Sequence, residues 1–159
     1  MSAALELITA SNWEEALAVR VQEERLPFVA SIQPVALIML AKCWVNPDGQ
    51  HWLPFLLRDE GQVVGIAAVG VDFIDPQVSW IHHVLIDESQ QGRGYGRHLM
   101  RLLAQWVVSS YPTVSRLGLN VLPANETAWN LYASLGFVPV GVTTDDQVIT
   151  MALTTEVAA

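Results

Sequence analysis

The feature that most constrains this chain is a glycine-rich turn past the middle of the sequence. A strand is predicted over residues 78–86 from its β-branched and aromatic residues, and a helix over residues 94–110 from apolar residues at helical spacing. The turn between them contains Gln91, Gly92, Arg93, Gly94, Tyr95 and Gly96. Unpaired N–H groups at a helix start carry positive partial charge, and glycine lets an anion approach them closely. The turn therefore predicts a site for a phosphate or pyrophosphate.

Two better-known phosphate loops do not fit this turn. The P-loop needs a Lys followed by Ser or Thr, whereas Gly96 is followed by Arg97 and His98. The dinucleotide fingerprint needs a third glycine at position 97, which is arginine. Arg93, Arg97 and Arg101 are spaced by four and are expected on one helix face, where an anion would offset their conflict with the helix dipole. A solvated arginine face is the alternative interpretation.

The rest of the chain predicts one domain over residues 1–159, with an α/β (α+β) fold. The predicted strands cover residues 5–9, 52–58, 62–72, 78–86, 115–121, 137–142 and 147–153. The predicted helices cover residues 12–24, 34–44, 94–110 and 126–135, and Pro27 prevents the first helix from continuing. These elements predict a mixed, mostly antiparallel central sheet of about seven strands, flanked by about four helices on both faces.

Composition excludes several classes of function. Sixteen acidic residues against eight basic ones give a formal charge of −8, so a duplex nucleic-acid partner is not expected. A cationic small substrate suits this charge, as does acidity that serves only solubility. No apolar run approaches the roughly 20 residues of a membrane helix, and no signal peptide is expected. Cys43 is the only cysteine, which is compatible with the reducing cytoplasm. Six tryptophans fit either a buried homodimer interface or a packed core.

Two motifs resemble the GNAT superfamily of acyl-CoA-dependent N-acetyltransferases. The turn from Gln91 to Gly96 fits the motif Gln/Arg-x-x-Gly-x-Gly/Ala. A second motif, Asn-x-x-Ala-x-x-Leu-Tyr-x-x-x-Gly-Phe, is matched by Asn125, Ala128, Leu131, Tyr132, Gly136 and Phe137. The resemblance is sharp over residues 61–140 and loose before them. Residues 22–31, 79–81 and 86–88 are also similar to bacterial spermine/spermidine acetyltransferases, which suggests a polyamine-like amine.

The resemblance implies an acetyl-CoA cosubstrate, no metal, and direct attack of an amine on the thioester without an acyl-enzyme. The sheet would splay between its fourth and fifth strands, where Val84, Leu85 and Ile86 would pair with the pantetheine arm. A backbone N–H near Leu85 or Ile86 would face the thioester oxygen. The pyrophosphate would be held by Gln91, Gly92, Arg93, Gly94, Tyr95, Gly96 and Arg97. Asn125 would bind the pantetheine arm or simply cap its helix.

Two side chains are candidates for proton handling. The family's tyrosine, here Tyr132, faces the CoA sulfur as general acid. Because ordinary pKa values are about 10 for tyrosine and about 8.5 for a thiol, full transfer is uphill by roughly 2 kcal/mol, and a hydrogen bond to the thiolate is the safer role. His82 is the candidate general base, because strand alternation places it on one face with Val84 and Ile86, and His83 on the other. The alternative for His82 is simple packing of the cleft.

Three functions are compatible with the sequence. The first is N-acetylation of a small amine, for which Glu23 and Glu24 are candidate amine-binding acids unless they form a solvated helix end. The second is acetylation of a protein N-terminus or lysine, which needs a peptide groove. The third is a non-catalytic acyl-CoA-binding module, and the presence of Tyr132 argues against it.

Overall fold

Seven strands form one sheet in the part of the chain that the computed structural model describes, residues 1–143 and 147–155. All neighbouring strands are antiparallel except β4 and β5, which are parallel. The predicted mixed, mostly antiparallel sheet is therefore confirmed. In spatial order the strands are β1 (Ala4–Leu7), β2 (Gln50–Asp59), β3 (Gln62–Asp72), β4 (Val78–Ile86), β5 (Arg116–Val121), β7 (Ile149–Thr154) and β6 (Val138–Val142).

The helices cover both faces of the sheet, as predicted. Helices α1 (Trp13–Ala16) and α2 (Val35–Val45) pack on one face, in a core that includes Met39 and Leu56. Helices α3 (Tyr95–Ser110) and α4 (Glu126–Ser134) pack on the other, in a core that includes Phe55, Leu99 and Tyr132. Among the described residues, no helix is both long and apolar enough to cross a membrane.

The helix predicted over residues 12–24 is wrong. Only the single turn of α1 forms, and a 3₁₀ segment follows at Glu23–Phe28, so the break comes before Pro27. Tertiary partners take the backbone groups that a longer helix would use. The Arg20 N–H donates to the Asp87 carboxylate at 2.9 Å, and the Gln33 side chain bonds both the N–H and the C=O of Val21. The segment after α1 is thus pulled away from a helical path.

The predicted splay between the fourth and fifth strands is confirmed. Strand β4 pairs with β5 only at Val78–Trp80, opposite Arg116–Gly118. Gly118 permits this contact, since a Cβ there would lie 2.8 Å from the Trp80 ring. Beyond these three residues the strands separate, and no strand of the described chain pairs with this edge of β4.

A β-bulge in β4 changes which side chains share a face. Ile66 pairs with Leu85 and Ala68 with His82, so His83 and Val84 together oppose one residue, and His83 has a left-handed φ of 51°. As a result, Val84 and Ile86 pack towards α3, whereas His82 stacks on Trp52 in the α2 core. The prediction that His82 shares a face with Val84 and Ile86 is therefore wrong, because simple alternation ignores the bulge.

Candidate active site

A cavity of about 540 Å³ opens where β4 and β5 separate. Its walls come from the end of β4, the glycine turn, the start of α3, one side of α4 and the segment over residues 21–29. Most of the predicted cofactor-binding residues meet there, namely Val84, Leu85, Ile86, Gln91, Gly92, Gly94, Tyr95, Gly96, Asn125 and Tyr132. The two sequence motifs, about 30 residues apart in the chain, thus form opposite sides of one cleft.

The glycine turn has the backbone that an anion site needs. Gly92 and Gly94 have φ values of 76° and 85°, in the left-handed region that favours glycine. Gly94 is the N-cap of α3 and no side chain caps the helix, so its first N–H groups have no side-chain acceptor. Gly96 serves close packing instead, because a Cβ there would lie 3.2 Å from Leu131 of α4. The turn therefore combines an open helix start with tight packing behind it.

Of the three arginines predicted on one helix face, Arg97 and Arg101 lie together on α3, beside the end of α4 and away from the cavity. Arg93 precedes α3 and is exposed, because the helix begins only at Tyr95. Arg97 donates to the Ser134 hydroxyl at 2.7 Å, and Arg101 is exposed beside the end of α4. Neither Arg93 nor Arg97 lines the cavity, so their binding of phosphate stays a prediction. The cation that does line it is Arg25 of the 3₁₀ segment, which sequence reasoning missed.

Two polar side chains fix the end of β4 against the glycine turn. Gln91 donates from Nε2 to the Ile86 carbonyl at 3.1 Å and accepts from Arg25 at 3.4 Å. Asp87 accepts from the N–H groups of Arg20 and Ser89. Burial alone would raise the pKa of Asp87, but a hydrogen bond from the Ser89 hydroxyl, together with these two N–H groups, holds it below its usual value. An Asp that directly follows a strand, two residues before Ser89, is a sequence signal for a turn in which the Asp carboxylate accepts from the N–H two residues on.

Tyr132 lies deep between the two sides of the cleft. It is 8% exposed, and burial raises its pKa to about 12. Among the described residues its hydroxyl makes no side-chain hydrogen bond, and its ring lies 6.0 Å from that of Phe137. Asn125 begins the same helix and accepts from the Ala128 N–H at 3.4 Å, so it caps α4 while also lining the cavity.

A second cavity of about 190 Å³ adjoins the first across Val84, Asn125 and Tyr132. Both His82 and His83 line it, contrary to the alternation that separated them. Among the residues that the structure describes, no cluster of His, Cys, Asp and Glu is arranged to hold a metal ion. Glu23 and Glu24 are exposed and line neither cavity.

The two histidines are held as neutral side chains. His82 stacks on Trp52 with ring centroids 3.8 Å apart, and its Nε2 lies 2.8 Å from the Gln50 amide oxygen. Burial, with smaller contributions from the neighbouring His83 and Lys42, lowers the pKa of His82 to about 3. His83 donates from Nδ1 to the Val29 carbonyl at 3.1 Å, and burial lowers its pKa to about 4. The role of His82 as general base stays a prediction.

Comparisons with known proteins agree with this arrangement. The sequence profile described as the acetyltransferase (GNAT) family matches residues 13–137. The spermine/spermidine N(1)-acetyltransferase of Bacillus subtilis (strain 168) is 28% identical over 143 residues, covering 86% of this chain and 88% of that protein.

Solved structures share the fold at lower sequence identity. An aminoglycoside acetyltransferase in complex with coenzyme A has a TM-score of 0.76 at 23% identity, covering 98% of this chain and 96% of that one. The spermidine N-acetyltransferase of Vibrio cholerae in complex with CoA and spermine also has a TM-score of 0.76, at 15% identity, covering 98% and 97%.

Proposed function

Because the chain belongs to the acetyltransferase (GNAT) family, we propose that it transfers an acetyl group from acetyl-CoA to the primary amine of a small molecule. The observation that carries this proposal is the cleft between β4 and β5. It has an uncapped helix start at one end, which suits an anion, and a buried tyrosine deeper inside, and it joins a second cavity at that tyrosine.

The cleft supports one placement of acetyl-CoA. The pyrophosphate would lie on the N–H groups between Gly92 and Gly96, at the start of α3. The pantetheine amides would pair with the unpartnered edge of β4 at Val84–Ile86, as an added strand would. The thioester would then reach Tyr132, where the two cavities meet. No metal takes part in this scheme.

The reaction would proceed in a ternary complex. The amine nitrogen attacks the acetyl carbonyl while a backbone N–H near Leu85 or Ile86 stabilises the oxyanion, which is typically worth a few kcal/mol for one donor. The carbon–sulfur bond then breaks, and Tyr132 donates a hydrogen bond to the departing thiolate. The amine must first lose a proton, since a free alkylammonium has a pKa near 10.4. We assign that transfer to water in the second cavity, with the neutral His82 ring as a relay, because an imidazole with a pKa of about 3 would pass the proton on and not keep it.

A polyamine is the more specific acceptor that the sequence relatives support. The Bacillus relative is named a spermine/spermidine acetyltransferase, and the Vibrio neighbour was solved with spermine. A direct test measures thiol release from acetyl-CoA with spermidine, diamines, aminoglycosides, amino acids and peptides. Turnover of small amines supports the proposed function. Turnover of peptides alone would replace it with protein acetylation.

Two further properties belong to the same proposal. The half-buried, single Cys43 fits the reducing cytoplasm, where we place the enzyme. We also propose a homodimer through edge strand β6, whose valines at 138, 140 and 142 are all more than half exposed. Sedimentation should give a dimer that Val140→Lys dissociates, whereas a monomer at all concentrations contradicts this interface.

A further inference from the structure

The active-site cleft is positively charged although the protein is acidic. The whole chain has 16 acidic and 8 basic residues. Among the described residues that line the two cavities, Arg25 lies in the larger and Lys42 in the smaller, and neither lining includes an Asp or a Glu. The described lining of the two cavities thus supplies no carboxylate to the place where an acceptor would sit. A polyamine site would be expected to show the opposite pattern, since each ammonium that enters needs an anionic partner.

Lys42 lines the second cavity and has no counter-ion among the described residues. It is the only lysine of the chain. Its ammonium lies 5.3 Å from the centroid of the Trp52 ring, which stacks on His82. Within residues 1–143 and 147–155, the ion pairs are made by Arg58 and Arg116 and none by Lys42. The charge of Lys42 is close enough to help lower the pKa values of His82 and His83.

None of the other polar side chains described in this cavity is an anion, and one of them offers a free donor. The Asn120 amide oxygen accepts from the Thr150 hydroxyl at 2.8 Å, which leaves the Asn120 N–H₂ without a partner among the described residues. The Lys42 ammonium and the Asn120 N–H₂, in a cavity of about 190 Å³, match a single carboxylate. The second ammonium of a diamine would meet a like charge there.

We infer that the acceptor is a primary amine that also carries a carboxylate, and that Lys42 binds this carboxylate in the second cavity. The inference rests on the proposed acetylation of a small primary amine, and it replaces the polyamine that the relatives' names support with an amino acid as the substrate class. The carboxylate lies at Lys42 and Asn120 while the amine nitrogen reaches the thioester beside Tyr132. Lys42 is then the residue that determines specificity, selecting amino acids over diamines of the same length.

The kinetic experiment compares acceptors in matched pairs: ornithine with putrescine, lysine with cadaverine, and 4-aminobutyrate with butylamine. We expect the carboxylate-bearing member of at least one pair to have the higher kcat/KM. Lys42→Met should reduce that preference by about 10- to 100-fold, the usual value of one hydrogen bond to a charged group. Lys42→Arg should restore most of it. Arg25→Met, which removes a cation from the larger cavity alone, should leave the preference unchanged. The inference is overturned if the parent enzyme prefers the diamines and Lys42→Met leaves that preference unaltered.

A binding experiment separates this inference from the proposed function. Because Lys42 is the only lysine, ¹³C-lysine labelling gives one Cε signal. N-acetylated straight-chain amino acids of two to six carbons, and their amides, are titrated into the CoA-bound enzyme. We expect at least one acid to shift the signal and to bind about tenfold or more tightly than its amide. Equal binding of acids and amides overturns the inference even if amines are acetylated. Selective binding without any turnover sustains it while the proposed reaction fails.

Discussion

Replacing Tyr132 with Phe removes one hydroxyl from the deepest part of the cleft. Burial holds the pKa of Tyr132 at about 12, so giving its proton to a thiolate of pKa about 8.5 would cost about 5 kcal/mol. The hydroxyl therefore keeps its proton and donates a hydrogen bond to the leaving thiolate. Such a bond to a charged group is worth about 1.5–3 kcal/mol, so kcat should fall by about 10- to 100-fold. The free energy of unfolding should change by less than about 1 kcal/mol, since no described residue bonds this hydroxyl.

The assay follows thiol release from acetyl-CoA, with CoA affinity measured separately by calorimetry. CoA affinity should stay within about threefold, because the lost bond forms only as the carbon–sulfur bond breaks. Tyr111→Phe is the matched control, since Tyr111 packs against the same core but lines neither cavity, and its kcat should equal that of the parent. An unchanged kcat in Tyr132→Phe refutes the reasoning. So does a parent kcat that falls as pH rises through about 10, which would mean that the tyrosine titrates at its ordinary pKa.

Three further predictions follow from the same contacts. Gly92→Ala should raise the KM for acetyl-CoA about tenfold or more. Gly61→Ala is the control, because Gly61 has a similar φ of 83° and equally open surroundings, and this change should reduce only the stability of the protein. Equal KM values for the two variants would contradict the anion site. Because the pKa of His82 falls to about 3 on folding, its neutral form stabilises the protein above about pH 6.5, and this stability is lost as the pH falls towards 3. The loss is about 2 kcal/mol at pH 5, so in urea unfolding His82→Gln should lose less stability than the parent between pH 7 and 5; equal losses would show that His82 is not buried neutral. Asp87→Ala should release the segment at Arg20, because it removes the acceptor of the Arg20 N–H, and should lower kcat/KM by about tenfold. Faster hydrogen exchange at the Arg20 N–H is the direct check, and unchanged exchange would contradict this role of Asp87.

Elements with a strong local signal could be predicted from the sequence. Strands β3 and β4 lie where their alternating and β-branched residues predict them, and α2 begins after Pro34 as expected. The positive φ values of Gly92 and Gly94 explain why the turn needs glycine, and why its motif is readable without a structure.

The failures share one physical cause, which is that distant residues override local preference. Asp87 and Gln33 take the backbone groups of Arg20 and Val21, and neither partner is near enough in sequence to be anticipated. A helix prediction that reads only neighbouring residues therefore continues past α1.

The candidate site likewise combines features that local sequence predicts with features that only the fold creates. The bulge at His83 reverses the faces of β4 and brings both histidines to one cavity, although alternation separates them. Lys42 and Arg25 escape notice because each is an isolated cation on an element outside the motifs. Only the fold brings them to the cleft.

The central claim is that this cleft couples acetyl-CoA cleavage to acetylation of a small primary amine. The most direct measurement incubates the enzyme with acetyl-CoA and the amine panel, and quantifies free CoA and acetylated amine by mass spectrometry. The account predicts one acetylated amine for each CoA released, with both products reduced together by Tyr132→Phe. Tight CoA binding with no acetylated product from any small amine would contradict it.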